Sequence, residues 1–210
     1  MSLPLISDNM QFDTILKAIE LVLRAEAENQ IKLNGTGWKT VRERFDPWNV
    51  VVDKMNPGVA NIVWTSSNYD SGESTQFENS AISTFSIDCY VSAKATESGW
   101  NVVPKDQNAG DVLHTLIAKV YYTVMSRINI DMGLTAGTIV QPFVTRIDKY
   151  IPTESNILIN GIIAARISCQ VKHLEIPPEG EGVPLNVVNV KSYKDEGQTI
   201  LYVETEVETT

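Results

Sequence analysis

Phe85-Ser86-Ile87-Asp88-Cys89-Tyr90-Val91 is the stretch on which the fold turns. In an extended chain Phe85, Ile87, Cys89 and Val91 fall on one face, and Ser86, Asp88, Tyr90 and Ser92 on the other, because successive side chains of a strand point to opposite sides. That alternation predicts a sheet with one dry side. From Asp111 onward, Leu113, Leu116, Ile117, Val120, Val124 and Ile128 recur at the three- and four-residue spacing of a helix that buries one stripe. A helix of that kind covers a dry sheet face. Ser80–Ile128 therefore reads as a packing unit of strand, connection and helix, with no chemistry in it.

Outward from this unit, further elements follow the same two periods. Phe12, Ile15, Leu16, Ile19, Val22 and Leu23 predict an amphipathic helix over residues 10–30, behind a short lead at 1–9 in which Asp8 or Asn9 is placed to cap it. Gly35 and Gly37 end that pattern. Three short strands are expected at Trp38–Arg44, Trp48–Lys54 and Val59–Ser66, with turns at Asp46-Pro47 and Asn56-Pro57-Gly58, a spacing that suits a meander. The polar run between Thr65 and Asn79 reads as an exposed loop, and residues 94–110, broken by Gly99, Pro104 and Gly110, as a long contact loop. Later strands are expected at Ile139–Tyr150, with Pro142 at an edge or bulge, and from Ile157 to about Ile176.

Pro177-Pro-Glu-Gly-Glu-Gly-Val-Pro184 is a linker by composition. Beyond it, Leu185–Val190 and Thr199–Val207 flank a turn at Lys194–Gly197, and Leu201, Val203, Thr205 and Val207 alternate with Tyr202, Glu204, Glu206 and Glu208. That is a hairpin, and a lone hairpin is marginal in water unless it docks on something. The expected architecture is α+β: a mixed, mainly antiparallel sheet packed by two amphipathic helices, in a domain over 1–176, with a linker and C-terminal β-hairpin arm over 177–210.

Composition narrows the function classes. A net charge of −9 argues against a protein that grips phosphate backbones, which takes a concentrated Lys/Arg surface. It suits a wall past which a polyanion slides without sticking. Two cysteines cannot build a disulfide framework, and both lie on apolar strand faces, Cys89 as above and Cys169 with Ile163, Ala165, Ile167 and Val171. Buried free thiols in a reducing compartment are the expectation. There is no apolar run long enough for a membrane span and no signal-peptide pattern at residue 1, so no membrane is expected as a partner.

Catalytic and metal-binding patterns are weak. His114 and His173 are the only histidines, and neither has a second His or Cys at ligand spacing. The loop with Asn68, Asp70, Glu73 and Glu78 lacks the order of a calcium loop. Cys89, His114 and Asp88 can be named as a nucleophile, base and orienting group, but Asp88 points away from Cys89 on a regular strand, and a thiol in apolar surroundings stays protonated. Gly-rich phosphate cradles are absent. No catalytic residue, metal ligand or cofactor is expected. Lys39, Arg42 and Arg44, near Trp38 and Trp48, form the one basic cluster, with Arg42 and Arg44 on one face of an alternating strand as a docking surface for an acidic partner. Leu201, Tyr202 and Val203 on the arm are the other candidate interface residues.

In order, an N-terminal amphipathic helix, short strands, Phe85-x-Ile-Asp-x-Tyr-Val91, a loop, the helix from Asp111 and closing strands resemble the tail terminator, or tail-completion, proteins of tailed bacteriophages and the related caps of contractile injection machines. The likeness covers roughly residues 10–175 and is carried by element order more than by individual residues. It implies a virion structural protein, assembled in the host cytoplasm, that forms a six-subunit ring. Such a ring ends tail tube or sheath polymerisation and meets the neck or connector, and DNA passes through it without specific binding. A head–neck adaptor, a baseplate protein, or a small soluble binding module or enzyme are the alternatives.

Overall fold

The structure is a computed structural model. It describes residues 10–50, 53, 55–70, 79–92, 105–126, 129, 131–135, 138–140, 142–150, 162–175, 189–195 and 198–204. They fall in two compact units, one within Asn9–Ile176 and one within Pro177–Thr210.

The larger unit is α+β. Its helices are α1 (Gln11–Asn34) and α2 (Lys105–Met125), and its strands are β1 (Lys39–Arg42), β2 (Gly58–Asp70), β3 (Asn79–Ser92), β4 (Phe143–Tyr150) and β5 (Ile162–Glu175). The five strands form one mixed sheet in the order β1-β2-β3-β5-β4. All neighbours are antiparallel except β1 and β2, which run parallel from Lys39↔Val59 to Arg42↔Ile62. The meander expected here is therefore not what forms. Parallel neighbours need a crossover, and residues 43–57 supply it, with a 3-10 turn at Pro47–Asn49 where a strand over 48–54 was expected. Part of that stretch (51, 52 and 54) lies outside the described residues.

Phe85, Ile87, Cys89 and Val91 do form a dry face, continued by Ala60 and Ile62 of β2 and by Ala165, Ile167, Cys169 and Val171 of β5. Against it pack Ile15, Ile19 and Leu23 of α1 and Leu113, Leu116 and Val120 of α2. Each fully buried aliphatic side chain contributes about 1.5–3 kcal/mol relative to exposure, which sets the helix orientation. The opposite face is not simply wet. Val59, Tyr90, Ile162 and Ala164 form a second, smaller buried cluster with Val41, Val50 and Tyr150 against it, so the expectation of one dry side holds for the larger part of what the sheet buries.

Several boundaries shift for identifiable reasons. Helix α1 runs on to Asn34, where Gly35 takes a left-handed φ of 73° and its N–H bonds the Ile31 carbonyl at 2.9 Å. No side chain caps its start from the preceding residue. Instead Glu175, at the end of β5, accepts the Gln11 N–H at 2.9 and 3.1 Å, and residues 1–9 lie outside the described residues. Strand β2 extends through the polar residues 66–70 because they pair with Ser80–Thr84 of β3, so only 71–78 remain of the expected loop, outside the described residues. Helix α2 begins at Lys105 and includes Gly110, which the sequence pattern had assigned to a loop; 94–104 and Ile128 lie outside the described residues.

Strand β4 starts at Phe143, after Pro142, and Ile139 forms only an isolated bridge with His173. Residues 157–161 of the next expected strand are outside the described set. In the smaller unit, β6 (Asn189–Asp195) and β7 (Gln198–Glu204) form an antiparallel hairpin. The first arm runs past Val190, where it was expected to end, to Asp195 in the expected turn, while the second begins at Gln198, one residue before the expected Thr199; residues 185–188 lie outside the described residues. The linker residues and 205–207 lie outside the described residues.

Candidate functional site

The basic cluster is held by the protein's own carboxylates. Lys39 Nζ lies 3.7 Å from Asp53, Arg42 Nε 3.2 Å from Glu20 of α1, and Arg44 Nε 2.9 Å from Asp46. Glu20 also holds Arg24, one helical turn on. Arg44 does not continue the alternation of Arg42, because Glu43 takes a φ of 49° and ends β1. Asn61 then clamps the Arg44 backbone, accepting its N–H at 3.2 Å and donating to its carbonyl at 2.9 Å. The Arg44 guanidinium and the Asn49 amide hold the Asp46 carboxyl below the usual carboxylate range. These cations reach a partner only by sharing carboxylates they already use. Of the two tryptophans near this cluster in sequence, Trp38 is buried core, and the Trp48 side chain is outside the described residues. Between Arg44 and Asp46, Phe45 stands 95% exposed.

The chemical groups the structure does assemble are ones the alternation pattern hid. Asp88 of β3 and Arg166 of β5 are cross-strand partners, joined by Nε to Oδ1 at 2.7 Å and Nη2 to Oδ2 at 2.8 Å. Tyr150 donates to the Tyr90 hydroxyl at 3.0 Å, Tyr90 reaches Asp88 at 3.5 Å, and the guanidinium lies over the Tyr150 ring at 5.9 Å. Burial pushes the Tyr90 and Tyr150 hydroxyls up, and the bond to Asp88 pushes Arg166 up. The tyrosines stay protonated and Arg166 stays charged near neutral pH. The set acts as a fixed charge pair pinning three strands.

A second chain runs across the helix-covered face. The Trp64 indole N–H donates to Ser67 Oγ at 3.1 Å, Ser67 Oγ meets Ser83 Oγ at 2.5 Å, and Ser83 Oγ meets His173 Nε2 at 2.7 Å. His173 Nδ1 is 3.9 Å from Glu175 Oε1 and has no hydrogen-bond partner among the described residues. Serine, imidazole and carboxylate in that order match the roles of a hydrolytic triad, yet a nucleophile has to touch its substrate and the third group has to bond the base. Ser83 is fully buried and 3.9 Å is too long for that bond. The chain instead links β2, β3 and β5, and the Trp64 ring at its end stacks on Phe12 of α1 at 4.3 Å.

The remaining sequence candidates stay apart. Cys89 and Cys169 are free and buried, with both thiols pushed up by burial, Cys169 to about 12. His114 is exposed on α2, while Asp88 faces away from Cys89 and is engaged by Arg166. Among the described residues no group of three or more His, Cys, Asp or Glu side chains is placed to hold a metal ion. None of their helices is long and apolar enough to cross a membrane. Leu201, Tyr202 and Val203 lie on β7, opposite Ser192, Lys191 and Val190.

Two of the concavities that flank α2 reach the sheet, and another, about 560 Å³, lies between α2 and α1 at Glu26 and Gln30. Of the two at the sheet, one of about 220 Å³ lies between Trp38, Pro57, Gly58 and Leu116, below the size usual for a metabolite site. The other, about 440 Å³, runs between α2 and β4, lined by His114, Ile117, Tyr121 and Tyr122 on one side and Ile147 and Lys149 on the other. Strand β4 is the last in the sheet order, so its outer edge has no strand partner among the described residues. No protein-family model matches this chain, and no curated protein matches it.

Proposed function

We propose that this chain is a structural protein of a phage-type particle, a tail terminator subunit that assembles with copies of itself into a ring at the head-proximal end of a tail. Its partners in this role are the tail tube or sheath on one side and the neck or connector on the other, with DNA passing through the ring. The observation that carries the proposal is the element order: an N-terminal amphipathic helix, strands leading into the Phe85–Val91 strand, a second helix on the same face, and closing strands. A five-stranded sheet backed on one face by both helices is a rigid plate of the kind a ring subunit needs. The acidic balance of −9 suits a passage that repels a polyanion.

The test is co-assembly. Purified protein mixed with tail tubes of the same particle is imaged by electron microscopy, with light scattering of the protein alone in parallel. Rings capping tube ends, together with arrested tube growth, are the expected result. Tubes that elongate unchanged, with a protein that stays bound to neck or baseplate components instead, overturn it.

A further inference from the structure

We propose that two copies of this chain join edge to edge through β4, antiparallel about a two-fold axis at Ile147, so that their five-stranded sheets run on as one. The joint is separate from the ring proposal. A two-fold contact pairs two copies and is then used up, whereas a ring repeats a head-to-tail contact.

The edge is open to an added strand. Strand β4 ends the sheet order, and its outer side has no strand partner among the described residues. Such an edge presents backbone N–H and C=O groups and is a template for pairing. From Arg146↔Ser168 to Tyr150↔Ala164 it keeps a regular register with β5. Ile147, opposite the core residue Ile167, stands on the helix-covered face, is 45% exposed and lines the groove beside α2 together with Lys149. Arg146 and Asp148 alternate with these two and stand on the other face.

Charge selects the occupant. On that other face Asp88 of β3 is the cross-strand partner of Arg166 of β5, and Arg166 stands in register with Asp148 of β4. The row runs minus, plus, minus and stops at the free edge on a carboxylate. A strand that continues it has to set a cation opposite Asp148 and an anion opposite Arg146. Strand β4 read backwards carries that pattern. With Ile147 facing Ile147, Arg146 of each copy stands opposite Asp148 of the other.

Neighbouring registers fail. Two sheets that keep their helices on the same side can move the axis only in two-residue steps, because a one-residue slip exchanges the faces. An axis moved by half such a step in each strand, to Arg146 or to Asp148, sets guanidinium against guanidinium or carboxylate against carboxylate. Like charges directly opposite are destabilising. With the axis at Ile147 the two isoleucines meet on the groove side, and Lys149 faces Thr145 of the second copy.

Arg146 already holds Asp148 within its own strand, Nε to Oδ1 at 2.7 Å. With side chains 74% and 39% exposed, that pair alone contributes little. The joint keeps it and adds to it: each charge has one opposite neighbour two residues along its own strand and another across the axis. Four charges alternating in this way form a network, the arrangement in which surface ion pairs do contribute. A uniformly acidic strand on this edge would set a carboxylate against Asp148, and a uniformly basic one a cation against Arg146.

The experiment uses full-length chains. Wild-type protein is expected to form dimers in light scattering whose fraction rises with concentration, while the outward amides within Arg146–Lys149 exchange more slowly. Arg146→Glu leaves carboxylates at both positions, and Asp148→Lys leaves cations at both. Each variant alone is expected to dimerise about tenfold or more weakly. Mixed in equal amounts the two are complementary and are expected to recover association, as is a single chain carrying both substitutions. Thermal unfolding checks that each variant keeps its fold, and if one does not, the concentration dependence of wild-type β4 exchange decides. A wild type that stays monomeric, reversals that leave association unchanged, or a mixture that does not recover it overturns the proposal. So does β4 protection that is the same at every concentration, which would show the chain covering its own edge. Tubes capped equally by wild type and Arg146→Glu leave the terminator proposal standing whatever the dimer does, and a recovered mixture with tubes never capped leaves the joint standing alone.

Discussion

Asp88 and Arg166 face each other across β3 and β5, joined by two hydrogen bonds of 2.7 and 2.8 Å, with the Asp88 side chain 5% exposed and the Arg166 side chain 49% exposed. The pair is asymmetric in its solvation, and so are the consequences of breaking it. Arg166→Ala leaves a buried carboxylate without its cation, at a cost of about 3 kcal/mol. Asp88→Ala leaves a half-exposed guanidinium that water solvates, at a cost of about 1 kcal/mol. Urea unfolding of the two variants measures the difference, and equal losses would show that Asp88 is not the desolvated partner.

His173 makes stability depend on pH. Burial lowers its pKa below the ordinary 6.5, with Glu175 only partly offsetting that shift. The folded protein then binds this proton less readily than the unfolded chain. The contribution of the neutral ring is complete above pH 6.5 and is lost as pH falls from there toward the lower folded value, by up to about 1.4 kcal/mol per pH unit. His173→Gln, which does not titrate, is expected to flatten the stability profile in that window. Denaturation curves between pH 5 and 8 read the effect.

Two glycines answer alanine in opposite ways. A Cβ on Gly37 runs into the Ala27 carbonyl oxygen and meets Ile31 Cγ1 at 2.8 Å, where the chain leading into β1 passes close under α1. Gly37→Ala is expected to cost about 1–3 kcal/mol, because part of the obstacle is backbone. Gly110 lies within α2 with nothing within 4 Å of its added Cβ, and Gly110→Ala is expected to stabilise by about 0.5–1 kcal/mol. Melting temperatures moving in the same direction for both would contradict the packing described for Gly37.

The thiols of Cys89 and Cys169 are protonated and buried. The native protein is expected to resist a thiol reagent for as long as it stays folded, and to label at both positions once denatured. Rapid labelling of native protein at neutral pH would mean that the sheet opens locally around β3 or β5.

Much of the fold was legible in single residues. The period-two run at Phe85–Val91, the matching run through Cys169 and the helical stripes at Ile15–Leu23 and Leu113–Val124 each announced which face would be buried. Residues 67–70 read as loop in the sequence because their polar side chains carry no hydrophobic period, although their backbone pairs with residues 80–83 of β3. The basic cluster was legible as charge but not as bonding, since Glu20, Asp46 and Asp53 come from other elements or a turn to meet it. Asp88 sat on what alternation alone marked as the wet face. Its burial follows from Arg166, Tyr90 and Tyr150, which the chain brings around it.

The sequence by itself determined the α+β class, the buried faces of its helices and central strands, and the change of composition at Pro177. These are local properties, written in the direction each side chain takes from its own backbone. Only the tertiary structure decided that β1 runs parallel to β2, that Arg166 neutralises Asp88 from 78 residues away, and that Glu175 caps α1 across 164 residues. Those pairings depend on which strands become neighbours. No local period encodes that, because it is settled by the joint burial of both sheet faces.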